Sequence, residues 1–155
     1  MTANFISEGY HTVTPYLFVP NAAEMIEFLK QAFDATELER FTQPDGSVGH
    51  GEVRIGDSVV MVSQAHGEWK AMPTSLYLYV SDAEARYKRA IELGATSLME
   101  PGIRSYGNLE AGVKDQMGNI WWIATRKEEL SVDEMKQRFE ANAQQQSTSE
   151  AEPDL

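Results

Sequence analysis

Cysteine is absent from the 155 residues, which removes disulfide staples and thiolate metal sites together. No apolar run approaches the ~20 residues needed to span a bilayer, and residues 1–10 lack the basic start and apolar middle of a secretory signal. The expectation is a cytoplasmic protein without a membrane partner. Basic side chains are few: 13 Lys and Arg stand against 24 Asp and Glu, for a net charge of -11. Nucleic-acid binders need clustered Lys and Arg, so that class is disfavoured. Nor does the chain carry a Ser-His-Asp set, a phosphate loop or a dinucleotide fingerprint.

What is present is a 42% hydrophobic content, enough for the core of one compact domain. Its organising feature is an echo. Tyr16-Leu17-Phe18-Val19 returns as Tyr77-Leu78-Tyr79-Val80. Each copy runs into a capping box, Asn21-Ala22-Ala23-Glu24 and Ser81-Asp82-Ala83-Glu84. Two copies of this size point to a duplicated module, since a solenoid needs at least three. Side chains alternate along a strand. Leu17 and Val19 therefore share one face with Tyr16 and Phe18 on the other, and Leu78 and Val80 oppose Tyr77 and Tyr79 in the same way. The aliphatic face suits packing under a helix; the aromatic face suits the wall of an apolar cavity with polar tips. A sheet buried on both sides would show the same alternation, so the strands alone leave both readings open.

In chain order, residues 1–13 read as a loose arm. A strand over 14–19 is followed by a helix whose Met25, Phe28, Leu29, Ala32 and Phe33 recur at helical spacing. Strands follow over 37–43, 50–55 and 58–63, separated by the turns Pro44-Asp45-Gly46-Ser47 and Gly56-Asp57. Residues 64–73 form a link. The second unit has a strand over 75–80, a helix over 82–93, and strands over 97–100, 109–114 and 119–125, with a looser segment over 101–108. Both units are β-α-β-β-β, which makes the fold α+β: one domain over 1–127 with modules at about 14–63 and 75–125. The closing hairpins overlay Gly56 on Gly118 and Val59-Val60-Met61 on Trp121-Trp122-Ile123. A third capping box, Ser131-Val132-Asp133-Glu134, opens a C-terminal helix within 128–144 with Val132, Met135 and Phe139 as its apolar stripe. Residues 128–155 hold eight acids against Lys136 and Arg138. The acidic, polar tail over 145–155 is expected to be disordered.

Paired modules of this kind, the string His50-Gly51-Glu52-Val53-Arg54-Ile55-Gly56-Asp57-Ser58, and above all Val113 through Thr125 with its Gly118-Asn119-Ile120-Trp121-Trp122-Ile123-Ala124-Thr125 ending, resemble the vicinal oxygen chelate superfamily. That group includes glyoxalase I, the bleomycin-resistance proteins and the extradiol dioxygenases, and the ending is most similar to its PhnB-like branch. The resemblance implies a concave sheet from each module, a cavity between them, and in many members a divalent metal held from the first and last strands of each module. Carried over, those positions are Thr14, Ser75, Val60 and Trp122. None is a strong ligand, because zinc and iron want His or carboxylate and hard cations want carboxylate oxygen. No metal and no other cofactor are therefore expected. Thr14 and Ser75 share parity with the aromatic faces, so the resemblance turns inward the same faces that alternation marks as cavity wall.

The three histidines are His11, His50 and His66. A metal set of His11, His50 and Glu52 can be written, but its spacing does not suggest one site. His50 with Glu52 on the same side of a strand is the best polar pair and the candidate for proton transfer. Arg104 and Tyr106 in the glycine-bearing segment 104–108 are candidates for a rim that meets a carbonyl or anionic group; an ordinary solvated loop is the alternative. Trp121 and Trp122 point opposite ways, Trp121 under the helix and Trp122 into the cavity. The expected ligand-binding set is Tyr16, Phe18, His50, Tyr77, Tyr79, Arg104, Tyr106 and Trp122. The favoured function is binding of a small aromatic or amphipathic molecule without a metal, in a homodimer as the resemblance implies. The alternative is an enzyme of the same superfamily: a metal-dependent lyase, isomerase or dioxygenase, or a metal-free one using His50 and Glu52.

Overall fold

The computed structural model describes residues 2–150, with side chains through residue 146. Two four-stranded sheets carry the fold. The first comprises β1 (Tyr16–Val19), β2 (Thr36–Thr42), β3 (Val48–Ile55) and β4 (Ser58–Gln64), with helix α1 (Ala22–Phe33) after β1. The second comprises β5 (Ser75–Tyr79), β6 (Thr96–Ile103), β7 (Asn108–Lys114) and β8 (Ile120–Arg126), with α2 (Ala83–Glu92) after β5. Strand order is β1-β4-β3-β2 and β5-β8-β7-β6, the same plan twice. Helix α3 (Val132–Glu150) closes the chain.

The echo becomes structure through equivalent devices. Asn21 Oδ1 accepts the Glu24 N–H at 3.2 Å to cap α1. Asp82, not Ser81, caps α2, accepting the Ala85 N–H at 3.0 Å; its carboxylate stands where Asn21 stands in the first unit. The far end of each last strand then reaches back to the helix start. The Ala22 N–H donates to Gln64 Oε1 at 2.9 Å and the Ala83 N–H to Thr125 Oγ1 at 2.9 Å, each satisfying an amide that a helix leaves orphaned.

Leu17, Val19, Ile26, Leu29, Val53, Val62, Val113, Trp121 and Ile123 are essentially sealed from solvent in a core that runs through both modules. Fully burying each such side chain is worth roughly 1.5–3 kcal/mol. Phe33 of α1 meets Trp121 of the other module with ring centroids 5.3 Å apart. Trp121 Nε1–H donates to Asp115 Oδ2 at 2.8 Å, while Asp115 Oδ1 accepts the Met117 and Asn119 amides at 2.8 and 3.0 Å. One buried carboxylate thus holds both the last turn and the largest core side chain.

Three expectations are corrected. Strand β6 continues through Pro101 to Ile103 instead of ending at residue 100; it is an edge strand with a register shift between Met99 and Gly102, where a proline costs no ladder bond. Helix α3 runs to Glu150, past an end near 144, because no glycine or proline interrupts it. The rest of the expected disordered tail, 151–155, lies outside the described residues. The hairpin overlay also shifts by one. Tyr16 pairs with Met61 and Tyr77 with Trp122, so Met61 is the partner of Trp122 in the repeat. Asp115 and Asn119 flank a three-residue turn whereas Ile55 and Ser58 flank a two-residue one, and the turn glycines occupy different places in them.

Candidate functional site

Register fixes which side chains share the face turned away from the helices. On the first sheet one row across the strands is Tyr16, Met61, Glu52 and Glu39, and the next is Phe18, Ser63, His50 and Phe41. On the second sheet the rows are Tyr77, Trp122, Gly112 and Met99, then Tyr79, Ala124, Glu110 and Gly102. The aromatic residues of the matching strands all stand on this inner face, with Leu17, Val19, Leu78 and Val80 against the core.

The inner face of the first module is crowded. Tyr16 sits edge-on to His50 at 5.7 Å between ring centroids and 4.7 Å from Phe18, and Phe41 closes on His50 at 5.8 Å. His50 Nε2 lies 3.2 Å from Glu52 Oε1. The other oxygen of Glu52 accepts the phenolic O–H of Tyr10. That bond, together with burial and the charges of Glu52 and Glu39, pushes the Tyr10 phenol up to about 12. The arm bearing Tyr10 is thus docked on the sheet rather than loose. Between arm and sheet lies a recess of about 460 Å³ lined by Phe5, Ile6, Tyr10, His11, Glu52 and Met61, within the size range of small-molecule sites. The link between modules also folds onto this face: Trp69 stacks on Phe18 with centroids 6.0 Å apart and planes at 19°, and the Met72 N–H donates to the Phe18 carbonyl at 3.0 Å.

The second inner face is built around a buried acid. Glu110 is 5% exposed and accepts the Tyr106 O–H. Asn108 Nδ2–H donates to the Tyr77 oxygen at 2.9 Å. Burial first, then the hydrogen bond to Glu110, pushes the Tyr77 phenol up to about 12, and the same two causes raise Tyr106. The Trp122 indole donates to Ser75 Oγ at 3.1 Å and lies across Gly112. Tyr77 and Tyr79 also border a cleft of about 810 Å³ along the free edge of β5, where Arg54, Arg86 and Asp34 supply charge.

The residues singled out from sequence therefore fall into two sets. Tyr16, Phe18 and His50, with Glu52, gather on the first module; Tyr77, Tyr79, Tyr106 and Trp122 gather on the second. Among the described residues no ring contact joins the two sets. Arg104 does not form a rim. Its guanidinium folds back onto the carbonyls of Glu100 and Glu110 at 2.7 and 3.1 Å, in room that the absent Cβ of Gly102 leaves. Tyr10, Trp69, Asn108 and Glu110 were missed by sequence reasoning. Glu110 alone carried a signal, as an acid between Leu109 and Ala111 on a strand; the arm and link contacts are non-local and carried none.

Metal chemistry can be weighed from the donors. With the register corrected, the carried-over positions are Met61 and Trp122 on the last strands, Ser75 at the start of β5, and Thr14 two residues before β1. Met61 replaces the expected Val60, which turns into the core at 3% exposure. Two hydroxyls, a thioether and an indole do not fit a zinc, iron or magnesium site. Among the described residues no three His, Asp or Glu side chains are grouped to hold an ion, so His11 does not join His50 and Glu52.

A profile of the Glyoxalase/Bleomycin resistance protein/Dioxygenase superfamily matches residues 9–123. A protein of Mycobacterium bovis described as uncharacterised is 34% identical over 135 residues, covering 80% of this chain and 89% of that protein. Among solved structures, TioX from Micromonospora superposes with a TM-score of 0.65 at 18% identity, covering 75% of this chain and 98% of TioX. A glyoxalase/bleomycin resistance protein/dioxygenase family enzyme from Burkholderia phytofirmans gives 0.60 at 21% identity, covering 73% and 96%. A putative 3-demethylubiquinone-9 3-methyltransferase, PhnB protein, from Bacillus cereus gives 0.59 at 18% identity, covering 74% and 99%. With the profile spanning both modules and the tandem topology repeated strand for strand, the chain belongs to the glyoxalase/bleomycin resistance protein/dioxygenase superfamily.

Proposed function

We propose that this protein binds a small aromatic or amphipathic molecule on its inner faces without a catalytic metal, as a PhnB-like member of the superfamily acting as a homodimer. The observation that carries the reading is the replacement of the metal-ligand quartet by Thr14, Met61, Ser75 and Trp122 on faces otherwise lined with rings. The recess beneath the arm supplies space of the right order. Tyr79 at 70% and Ile103 at 57% exposure supply apolar surface that a second copy would cover. Metal analysis of protein purified without a histidine tag tests the reading. Substoichiometric metal is expected; stoichiometric zinc, nickel, manganese or iron that disappears in a His50→Ala variant would overturn it.

The contact between His50 and Glu52 favours one second reading, a metal-free enzyme in which the pair moves a proton at the recess. Turnover of carbonyl and aromatic compounds, abolished in Glu52→Gln, would select it over simple binding.

A further inference from the structure

The two inner faces share an arrangement that the duplication did not copy. In each, a tyrosine from outside the sheet donates its phenolic hydrogen to a carboxylate on the third strand: Tyr10 of the arm to Glu52, and Tyr106 of the β6–β7 connection to Glu110. Register makes Glu52 equivalent to Gly112, and His50 to Glu110, so the pairs arose at different positions. In the first module the pair borders open space. Glu52 lines the recess beside Met61, Tyr10 lines it from the arm, and His50 supports the other carboxylate oxygen. Among the described residues the Tyr10 O–H is the one hydrogen bond that ties residues 2–12 to the sheet. A single phenol therefore stands between the recess and the carboxylate at its floor.

We infer that Tyr10 is a tethered stand-in for the ligand, and that the recess takes a hydroxyaromatic molecule whose hydroxyl donates to Glu52 when the Tyr10 ring swings out. This names the ligand class and rests on the binding reading above. The chemistry supports a donor over an acceptor, because an ionised carboxylate only accepts. A hydrogen bond to a charged group is also about twice as strong as a neutral one, so an aromatic hydroxyl is preferred over its ether. Met61, Ile6 and Phe5 line the recess and supply the apolar wall for the ring. The tether competes at high effective concentration, so the intact arm lowers affinity for any free phenol.

The test is calorimetric titration of 2-naphthol and its ether, 2-methoxynaphthalene, into the full chain. The naphthol is expected to bind about tenfold tighter, as one charge-assisted hydrogen bond implies. Glu52→Leu should close that gap to about twofold or less, and Tyr10→Phe should tighten both probes by about tenfold while keeping the gap between them, because each must displace the tethered phenol. Should Glu52→Leu fail to fold, Tyr10→Phe alone carries the test. Equal binding of the two probes, or no gain for naphthol in Tyr10→Phe, overturns the assignment of ligand class and leaves the binding reading standing. Tighter binding of benzyltrimethylammonium than of naphthol would assign Glu52 to a cation and also overturn it. Absence of binding by all three aromatics would remove the binding reading and this inference with it.

Discussion

Gly112 offers a sharp test of how the second inner face is packed. A Cβ built there would lie 2.6 Å from Cζ3 and 2.8 Å from Cε3 of Trp122, well inside contact distance, while its backbone φ lies outside the left-handed region. Gly112→Ala therefore meets a side chain, not a conformational barrier. Overpacking of this kind costs about 1–3 kcal/mol, and the reduced freedom of the unfolded chain returns about 0.4–1 kcal/mol, for a net loss of about 1–2 kcal/mol. In a Trp122→Leu background the obstruction is gone, and the same substitution should be neutral or stabilising by about 0.4–1 kcal/mol. Urea denaturation of wild type, both single variants and the double variant, followed by circular dichroism, gives the coupling directly. A coupling of about 1–3 kcal/mol is expected. Additive free energies, within about 0.5 kcal/mol, would show that the indole does not rest on Gly112 and would undo the description of this face.

Asp115→Ala should strand the buried Trp121 N–H and two turn amides, at roughly 3 kcal/mol or more; by thermal melting that is a fall of ~6–12 °C. The phenols of Tyr10 and Tyr77 are raised from 10.0 to about 12 in the fold, so the folded state holds these protons more tightly. Their stabilisation is full below pH 10 and lost as pH rises through about 12, and denaturation midpoints across that window should fall less steeply in a Tyr10→Phe, Tyr77→Phe double variant. Ending the chain after Arg126 removes α3, which Arg138 ties to the Ser105 carbonyl at 3.5 Å, and with it Glu128, which braces Arg138 at 3.0 Å. Such surface pairs contribute about 0–1 kcal/mol, so melting should change by less than about 4 °C.

The architecture was legible because its signals are local. Tyr16 to Val19 and Tyr77 to Val80 alternate strictly, Asn21 and Asp82 cap within three residues, and Gly56 and Gly118 take positive φ in turns. The orientation of the tryptophans followed from parity: Trp121 is sealed and Trp122 is on the inner face. What failed depended on counting across a turn or on contacts between distant segments. Gly118 invited an overlay on Gly56 although the turns differ in length, and that single residue placed Val60 where Met61 belongs. Arg104 read as a rim candidate because its carbonyl partners at Glu100 and Glu110 come from strands on either side of its loop. Tyr10 read as loose because nothing near it in sequence announces Glu52.

These failures share a cause that bears on function. The duplicated frame fixes where a strand lies and which face it buries, so both modules keep aliphatic residues at Leu17 and Leu78 and rings at Tyr16 and Tyr77. Nothing in that frame constrains what covers the open face. The first module is covered by the arm through Tyr10 and by the link through Trp69 and Met72. The second has Tyr106 from its own β6–β7 connection and an indole lying over Gly112, with Tyr79 left open. Coverings drawn from unrelated segments can diverge without disturbing the core beneath them, since Leu17, Val62, Ile123 and Trp121 face the other way. On the proposed binding reading, specificity would reside in the arm, the link and the β6–β7 connection, and exchanging residues there should change what is bound while leaving the stability set by the two sheets nearly untouched.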